Sequence, residues 1–261
     1  LSEPLVKVPA ALFEGVEAPI EDPDGHMAAF YTSLEATALR EGKTRVGHWG
    51  DSVIGADGIT HMARRLLQKT FGDAGRGFVM VDGDSEWYRQ KDVLWTSKGW
   101  RTGNVIKRGA KDGRYGYGGV TAFGYAGAWA TYATKPESPV GQRISQFRIF
   151  ASKAPRQGRL ELRLDGEKKG AIEMSADVAT DVVEVVEVAD GPHTLKIRVL
   201  GGAVRLFGVS MERDEPGVIY DGIGMVGARL KRLRNFDRGH LKRQLEFAST
   251  DMVALMFGGN S

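Results

Sequence analysis

The chain has 261 residues, 42% of them hydrophobic and 26% charged, with a formal net charge of +3 at pH 7. That balance excludes a globally disordered protein and leaves room for one large domain or two small ones. Cysteine is absent, which excludes disulfides, thiolate metal sites and a cysteine nucleophile, and no apolar run reaches the roughly 18 residues of a membrane-spanning helix.

Residues 1–25 carry Pro4, Pro9, Pro19 and Pro23 among acidic residues and read as an irregular lead-in. The chain opens on Leu1 without a charged and apolar leader, as expected of a processed protein. Phe30, Leu34 and Leu39 have helical spacing within Met27–Glu41, and Thr44–Trp49 is a short β-favouring run that ends in Gly50. From Gly58 to Phe71 the apolar residues Ile59, Met62, Leu66 and Leu67 again repeat at helical spacing, which predicts a helix. Strand, tight turn and helix in that order is the first unit of an α/β sheet.

The texture changes after about residue 100. Residues 109–132 are rich in Gly, Tyr and Ala, and short strand signals follow: the alternating Leu160–Leu164 before Asp165-Gly166, the β-branched Val182–Val188, the alternating Thr194–Leu200, and Val204–Val209 after Gly201-Gly202. This spacing predicts an antiparallel β-sandwich. Near Pro216 the pattern reverts to a strand at Val218–Tyr220, a glycine-rich turn, a helix over 228–245 and a strand at Met252–Phe257. The expected organisation is therefore a lead-in over 1–25, an α/β domain beginning at 26–103, an inserted sandwich over 104–214, and the α/β domain continued over 215–261. The last residues, Phe257–Ser261, follow directly on an apolar run, so further chain is expected beyond Ser261.

The basic stretch Arg229–Arg243 reads either as a nucleic-acid patch or as the solvated face of an amphipathic helix. The recurrence of Leu230, Leu233, Phe236 and Leu241 favours the helix, and no nucleic-acid partner is expected.

Gly50-Asp51-Ser52 lies between the first strand and the following helix, where a serine hydroxyl is exposed on a turn beside backbone N–H groups. Two later segments have matching features. Tyr220–Ala228 puts Gly222, Gly224 and Gly227 between a strand and a helix, and Phe257–Asn260 ends a strand on an amide side chain. Taken singly, each is an ordinary turn or cap. Together, a serine turn, a glycine turn and a strand-end asparagine supply the three donors of an oxyanion hole. No cluster has metal-ligand spacing, and the glycine-rich Tyr115–Gly119 lacks the Lys and Ser/Thr of a phosphate loop, so neither metal nor cofactor is expected. No histidine stands out as a base. Asp237-Arg238-Gly239-His240 spells an acid–base pair, but it precedes Asn260 and reads as structural, with His240 on a solvated helix face.

Val46–Val53 (VGHWGDSV) resembles the first motif block of the SGNH (GDSL-like) hydrolases. The turn ending in Gly227 is similar to the second block, and Gly258-Gly259-Asn260 to the third. The runs Gly50–Val79 and His193–Glu212, with Pro216–Tyr220, resemble the bacterial periplasmic peptidoglycan O-acetylesterases in particular. The resemblance implies a three-layer, flavodoxin-like parallel sheet interrupted by a carbohydrate-binding-module-like β-sandwich, with the C-terminal part of the α/β domain outside this chain. It also implies Ser52 as nucleophile and an oxyanion hole from the Ser52 and Gly227 N–H groups and the Asn260 side chain, with Asp51 as a supporting residue. Its Asp-x-x-His block is expected beyond Ser261. A Gly-Gly-Val segment opens the inserted module in that family, which makes Gly119 a candidate substrate contact; the nearby aromatics Tyr115, Tyr117, Tyr125 and Trp129 are candidates either to stack on a sugar or, for at least two of them, to pack in the core. The implied protein is a periplasmic or secreted esterase that removes O-acetyl groups from a polysaccharide, most plausibly peptidoglycan. An O-acetyltransferase on the same framework and a non-catalytic glycan-binding protein are the alternatives.

Overall fold

The computed structural model describes residues 20–260, so most of the lead-in read over 1–25 lies outside the described residues. The elements in chain order are α1 (Ala28–Ala38), β1 (Lys43–Gly50), α2 (Ser52–Gly55), α3 (Gly58–Phe71), β2 (Gly77–Met80), β3 (Val93–Asn104) and β4 (Val120–Thr134). There follow β5 (Ile144–Lys153), β6 (Arg159–Leu164), β7 (Glu167–Glu173), β8 (Thr180–Gly191), β9 (Thr194–Gly201), β10 (Val204–Glu212) and β11 (Gly217–Gly224). A 3-10 helix (Leu230–Asn235), α4 (Arg238–Ala248) and β12 (Met252–Met256) complete the described chain.

The expected three-layer parallel α/β fold is not what these residues build. Nine of the strands form one curled antiparallel sheet, in the order β7-β6-β9-β4-β10-β5-β8, with β2 on β10 and β3 on β4. The parallel part holds only β11-β1-β12. The physical reason is how the strands pair: β2 and β3, although they precede residue 104, hydrogen-bond antiparallel to β10 and β4. The β6–β7 hairpin turns on Asp165-Gly166, both at positive φ (51° and 87°), which is the two-residue turn that suits the twist of paired strands.

The antiparallel sheet curls over its own core, which includes Tyr132, Phe147, Ile149, Leu160, Ile197 and Leu206, all fully buried. A second cluster, with Trp49, Phe78, Tyr117, Phe150, Phe207 and Ile223, packs the parallel strands onto the antiparallel sheet. Its rings meet edge to face, with Trp49–Tyr117 at 4.9 Å and Phe78–Tyr117 at 5.2 Å between centroids, the arrangement the ring quadrupole favours. Charge reinforces this junction. Arg45 on β1 reaches Asp221 on β11 (2.7 Å) and Glu212 and Ser210 on β10 (2.8 and 2.6 Å), and Asp221 in turn accepts from the Phe78 N–H of β2 (2.7 Å).

Helix α3 spans the expected residues, with Leu67 packed against Val46, Val218 and Tyr220 and a polar row turned inward beside it. Ile59, Met62 and Leu66 are exposed, while Thr60, Arg64 and Gln68 are buried. The cause lies on β11, the outer strand of the parallel sheet. Its carbonyls on alternate residues accept from side chains: Val218 from Gln68 (2.9 Å), Tyr220 from Arg64 (3.1 Å) and Gly222 from Gln90 (3.5 Å). Two of these donors lie on α3, so its polar row must turn inward. The helix expected over 228–245 is also divided. A 3-10 turn ends at Asn235, and α4 starts afresh where the Asp237 carboxylate accepts from the His240 N–H (2.7 Å).

Candidate active site

The three parallel strands end side by side, with Gly50 opposite both Gly224 and Met256, and each end leads into one of the turns singled out in the sequence. Backbone bonds fix this convergence: the Met225 N–H donates to Gly50 O (2.9 Å), and the Asp51 N–H to Met256 O (3.3 Å). Close approach depends on glycine, since a Cβ on Gly224 would stand 2.0 Å from Gly55 Cα. Gly227 sits at φ 81°, in the left-handed region that glycine adopts far more readily than other residues. Ser52 is the first residue of α2 and is exposed. Among the described residues its hydroxyl has no hydrogen-bond partner.

Asp51 ties the first turn to the third. Its carboxylate is buried and accepts from the Val53 N–H (3.1 Å) and from the Gly259 N–H (3.2 Å). The Asn260 amide donates to Ala228 O (3.1 Å), which ties the third turn to the second. One Nδ2 hydrogen of Asn260 is used in that bond and the other remains. Ser52, Gly227 and Asn260 are thus carried by turns that are directly bonded to one another.

A buried hub at Asp57 holds the next segment. Asp57 has left-handed geometry (φ 50°), and its carboxylate accepts from Thr60 (2.5 Å), Arg64 (3.0 Å) and the Lys91 N–H (2.8 Å). Burial pushes this carboxyl up, but the Arg64 and Arg76 guanidiniums outweigh it and hold it below its ordinary value. The Arg89 N–H donates to Gly55 O (2.9 Å), so the 82–92 loop is pinned against α2. Sequence reading missed Asp57 and this loop. Thr60 and Arg64 at three and seven residues' distance are a local signal, whereas Lys91 is joined only by the fold.

All five histidines are described, and none bonds Ser52. His26 lies beside Asp24 (3.8 Å), His48 bonds the Tyr220 hydroxyl (2.8 Å), His61 the Asp57 carbonyl (2.6 Å), and His193 Asp165 (2.8 Å). Burial lowers the His48 pKa by disfavouring the charged ring. His240 is not on a solvated face: it is fully buried, its Nε2 accepts from the Gly116 N–H (2.8 Å), and its Nδ1 lies 2.8 Å from Asp181.

The suggested sugar contacts Tyr117 and Gly119 are interior residues. Tyr117 is fully buried among Trp49, Phe78 and Phe150, so its ring offers no free face to a ligand. Gly119 is packed behind Met225, whose sulfur would lie 2.7 Å from an added Cβ. Tyr115 is buried as well, and of the four aromatic candidates Tyr125 is the exposed one, at 56%.

No family model matches the chain, and no curated protein does. Among solved structures, one described as "Peptidoglycan O-acetylesterase in action" is similar at 21% identity with a TM-score of 0.68. That match covers 89% of this chain and 61% of the other, so this chain spans less than two thirds of the length of that protein. At this identity the likeness is one of fold. Lower-scoring matches include the CBM36-1 domain of a multidomain xylanase from the hindgut metagenome of Trinervitermes trinervoides, at 18% identity and TM-score 0.29, covering 46% of this chain and 94% of that one. Another is the carbohydrate-binding module CBM6cm-2 of Cellvibrio mixtus lichenase 5A, in complex with cellotriose, at 20% identity and TM-score 0.30, covering 45% and 89%.

Proposed function

We propose that this chain carries the nucleophile and oxyanion donors of a serine carbohydrate esterase that removes O-acetyl groups from a polysaccharide, peptidoglycan first among the candidates, in the periplasm or outside the cell. The observation that carries the reading is the mutual bonding of the three turns that bear Ser52, Gly227 and Asn260. The shared fold with a peptidoglycan O-acetylesterase supports it.

In this reading the Ser52 oxygen attacks the acetyl carbonyl carbon, and the carbonyl electrons move onto oxygen to give a tetrahedral oxyanion. The Ser52 and Gly227 N–H groups and the free Asn260 amide hydrogen stabilise that charge. Collapse expels the sugar oxygen, which takes a proton and leaves acetyl-Ser52, and water then releases acetate. A serine hydroxyl is a weak nucleophile until a base takes its proton. The five histidines all have other partners, so the reading requires a base outside the three turns described.

The test is hydrolysis of p-nitrophenyl acetate and of O-acetylated peptidoglycan by the full protein and by Ser52→Ala. A loss of at least about 10³-fold is expected in the variant. Labelling of another residue by a fluorophosphonate, with Ser52 untouched, refutes the assignment. Tight glycan binding without turnover by the full protein favours a non-catalytic glycan-binding role instead.

A further inference from the structure

A basic cleft of about 500 Å³ lies along the segment that leaves the Gly227 turn, lined by Arg108, Lys111, Asp112, Tyr115, Arg234 and Asp237 among others. The 3-10 helix Leu230–Asn235 starts just after Ala228, the residue bonded to Asn260, and ends at this cleft. At about 2 Å per residue, that helix separates Arg234 from the oxyanion turn by on the order of 10 Å. The two walls are bonded together, since Arg108 donates to Asn235 Oδ1 (3.0 Å) and Asn235 donates to Val105 O (2.8 Å). The cleft therefore lies on the chain segment that directly follows the Gly227 turn.

Its charge is unbalanced. Arg108, Lys111 and Arg234 line it, Lys107, Arg229 and Lys231 are exposed on the same two segments outside the lining, and among the described residues none of these six forms an ion pair. Of the acidic residues in the lining, Asp112 pairs with Arg205 (2.6 and 3.1 Å), whereas Asp237 caps α4 and keeps its charge, so Arg108, Lys111 and Arg234 face one uncompensated carboxylate. A concave site that gathers unpaired cations in one place raises the local concentration of anions.

We infer that Arg108, Lys111 and Arg234 form an anion subsite that holds a carboxylate or phosphate group of an acidic glycan while a neighbouring sugar of the same strand lies at Ser52. This deepens the esterase reading and rests on it for the role of Ser52, but the cleft binds or fails to bind whether or not Ser52 is a nucleophile. A polysaccharide with regularly spaced anionic groups satisfies the cleft and reaches the turn in one extended strand. Guanidinium groups suit both oxyanions because their planar donors match two oxygens at once.

The experiment measures equilibrium binding to the full protein carrying Ser52→Ala, so that no substrate is consumed. The probes are soluble peptidoglycan strands, the same strands with their carboxylates amidated by carbodiimide coupling, and a glycerol-phosphate teichoic acid. The amidated strands are expected to bind about tenfold more weakly, and affinity for the acidic probes should fall as ionic strength rises through about 0.15 M. Teichoic acid that outcompetes the native strands assigns the cleft to phosphate, and the reverse order assigns it to carboxylate. Adding Arg108→Gln, Lys111→Gln and Arg234→Gln should cost about tenfold in affinity for the acidic probe. A second variant, Lys111→Glu with Arg234→Glu, leaves the Arg108–Asn235 bond in place and should cost at least as much. Lys168→Gln with Lys169→Gln, on the exposed strand β7, removes two charges elsewhere and should leave binding unaltered. Equal affinity for native and amidated strands, equal loss in the β7 variant, or tighter binding of a short DNA duplex than of either acidic glycan overturns the inference.

Discussion

Replacing Asp51 by Ala removes a side chain that joins the serine turn to the asparagine turn. Two bonds are lost, from the Val53 N–H at 3.1 Å and from the Gly259 N–H at 3.2 Å. The first is a helix N-cap, worth about 1 kcal/mol. The second is a long-range tether to a carboxylate, worth a further 1 kcal/mol or so. Val53 and Gly259 are both exposed, so water can take over their N–H groups, and the loss stays near the low end, about 2 kcal/mol in all. The effect on rate has a different origin. The Asn260 donor survives but is no longer held, so the rate loss should stay below the roughly 10²–10³-fold cost of deleting an oxyanion donor outright. We expect kcat on p-nitrophenyl acetate to fall about tenfold to a hundredfold with little change in KM, and the urea midpoint to drop in the same protein. Asp51→Asn keeps one acceptor oxygen and should fall between wild type and Ala on both measures. Unchanged kcat with lowered stability would show that Asp51 only caps α2. A loss equal to that of Ser52→Ala, at wild-type stability, would give Asp51 a direct part in the chemistry and refute the bracing role.

His240→Ala should destabilise the fold by about 1–3 kcal/mol, because it leaves the buried Gly116 N–H without its acceptor and leaves the Asp181 carboxylate to Arg243 (3.0 Å). Turnover per folded molecule should remain at the wild-type level, and a thermal melt read beside initial rates separates the two effects. Acid should weaken the junction between the sheets through Glu212. Burial pushes that carboxyl up, but the Arg45 and Arg148 guanidiniums outweigh it and hold it at about 2, against an ordinary 4.5. Its folded pKa lies below its unfolded one, so its contribution, on the order of 3 kcal/mol, is complete above about pH 4.5 and is lost as pH falls toward 2. Glu212→Gln should therefore flatten the acid limb of the stability curve between those limits, and an acid limb identical to wild type would place the loss on other carboxylates.

Much of the local structure was legible because it obeys short-range rules. The span Gly58–Phe71 follows from helical spacing, and Leu160–Leu164 with Asp165-Gly166 from alternation and a turn that accepts positive φ. The three turns of the candidate site were visible as strand ends followed by small or capping residues. What stayed hidden depends on partners far along the chain. Strand β2 is four residues long and too short to show a period, and the alternation of β3 is broken by the bulge at Gly99, where the pairing shifts between Lys98 and Trp100. Without these two strands the antiparallel sheet appeared to begin later than it does, and the fold class went wrong with it. Burial of His240 follows from Asp181, which lies 59 residues earlier. For Tyr117 composition alone left sugar stacking and core packing both open, and the partners that decide for the core, Trp49, Phe78 and Phe150, lie far along the chain.

The buried polar row of α3 shows why a hydrophobic period indicates a helix but does not by itself fix its inner side. A strand at a sheet edge presents unpaired carbonyls, and these need donors as much as apolar side chains need cover. On β11 they are met by Gln68, Arg64 and Gln90 in place of another strand. Arg64 can be buried there because Asp57 and Asp92 balance its charge at 3.0 Å each, and a buried guanidinium without such partners would cost more than the edge bond returns. The polar row Thr60, Arg64 and Gln68 thus closes that edge and, through Asp57, fixes the segment that follows Ser52. Ile59, Met62 and Leu66 are left on the solvent side as a consequence. The arrangement gives up apolar burial on one helix face and obtains a rigid support directly behind the candidate nucleophile.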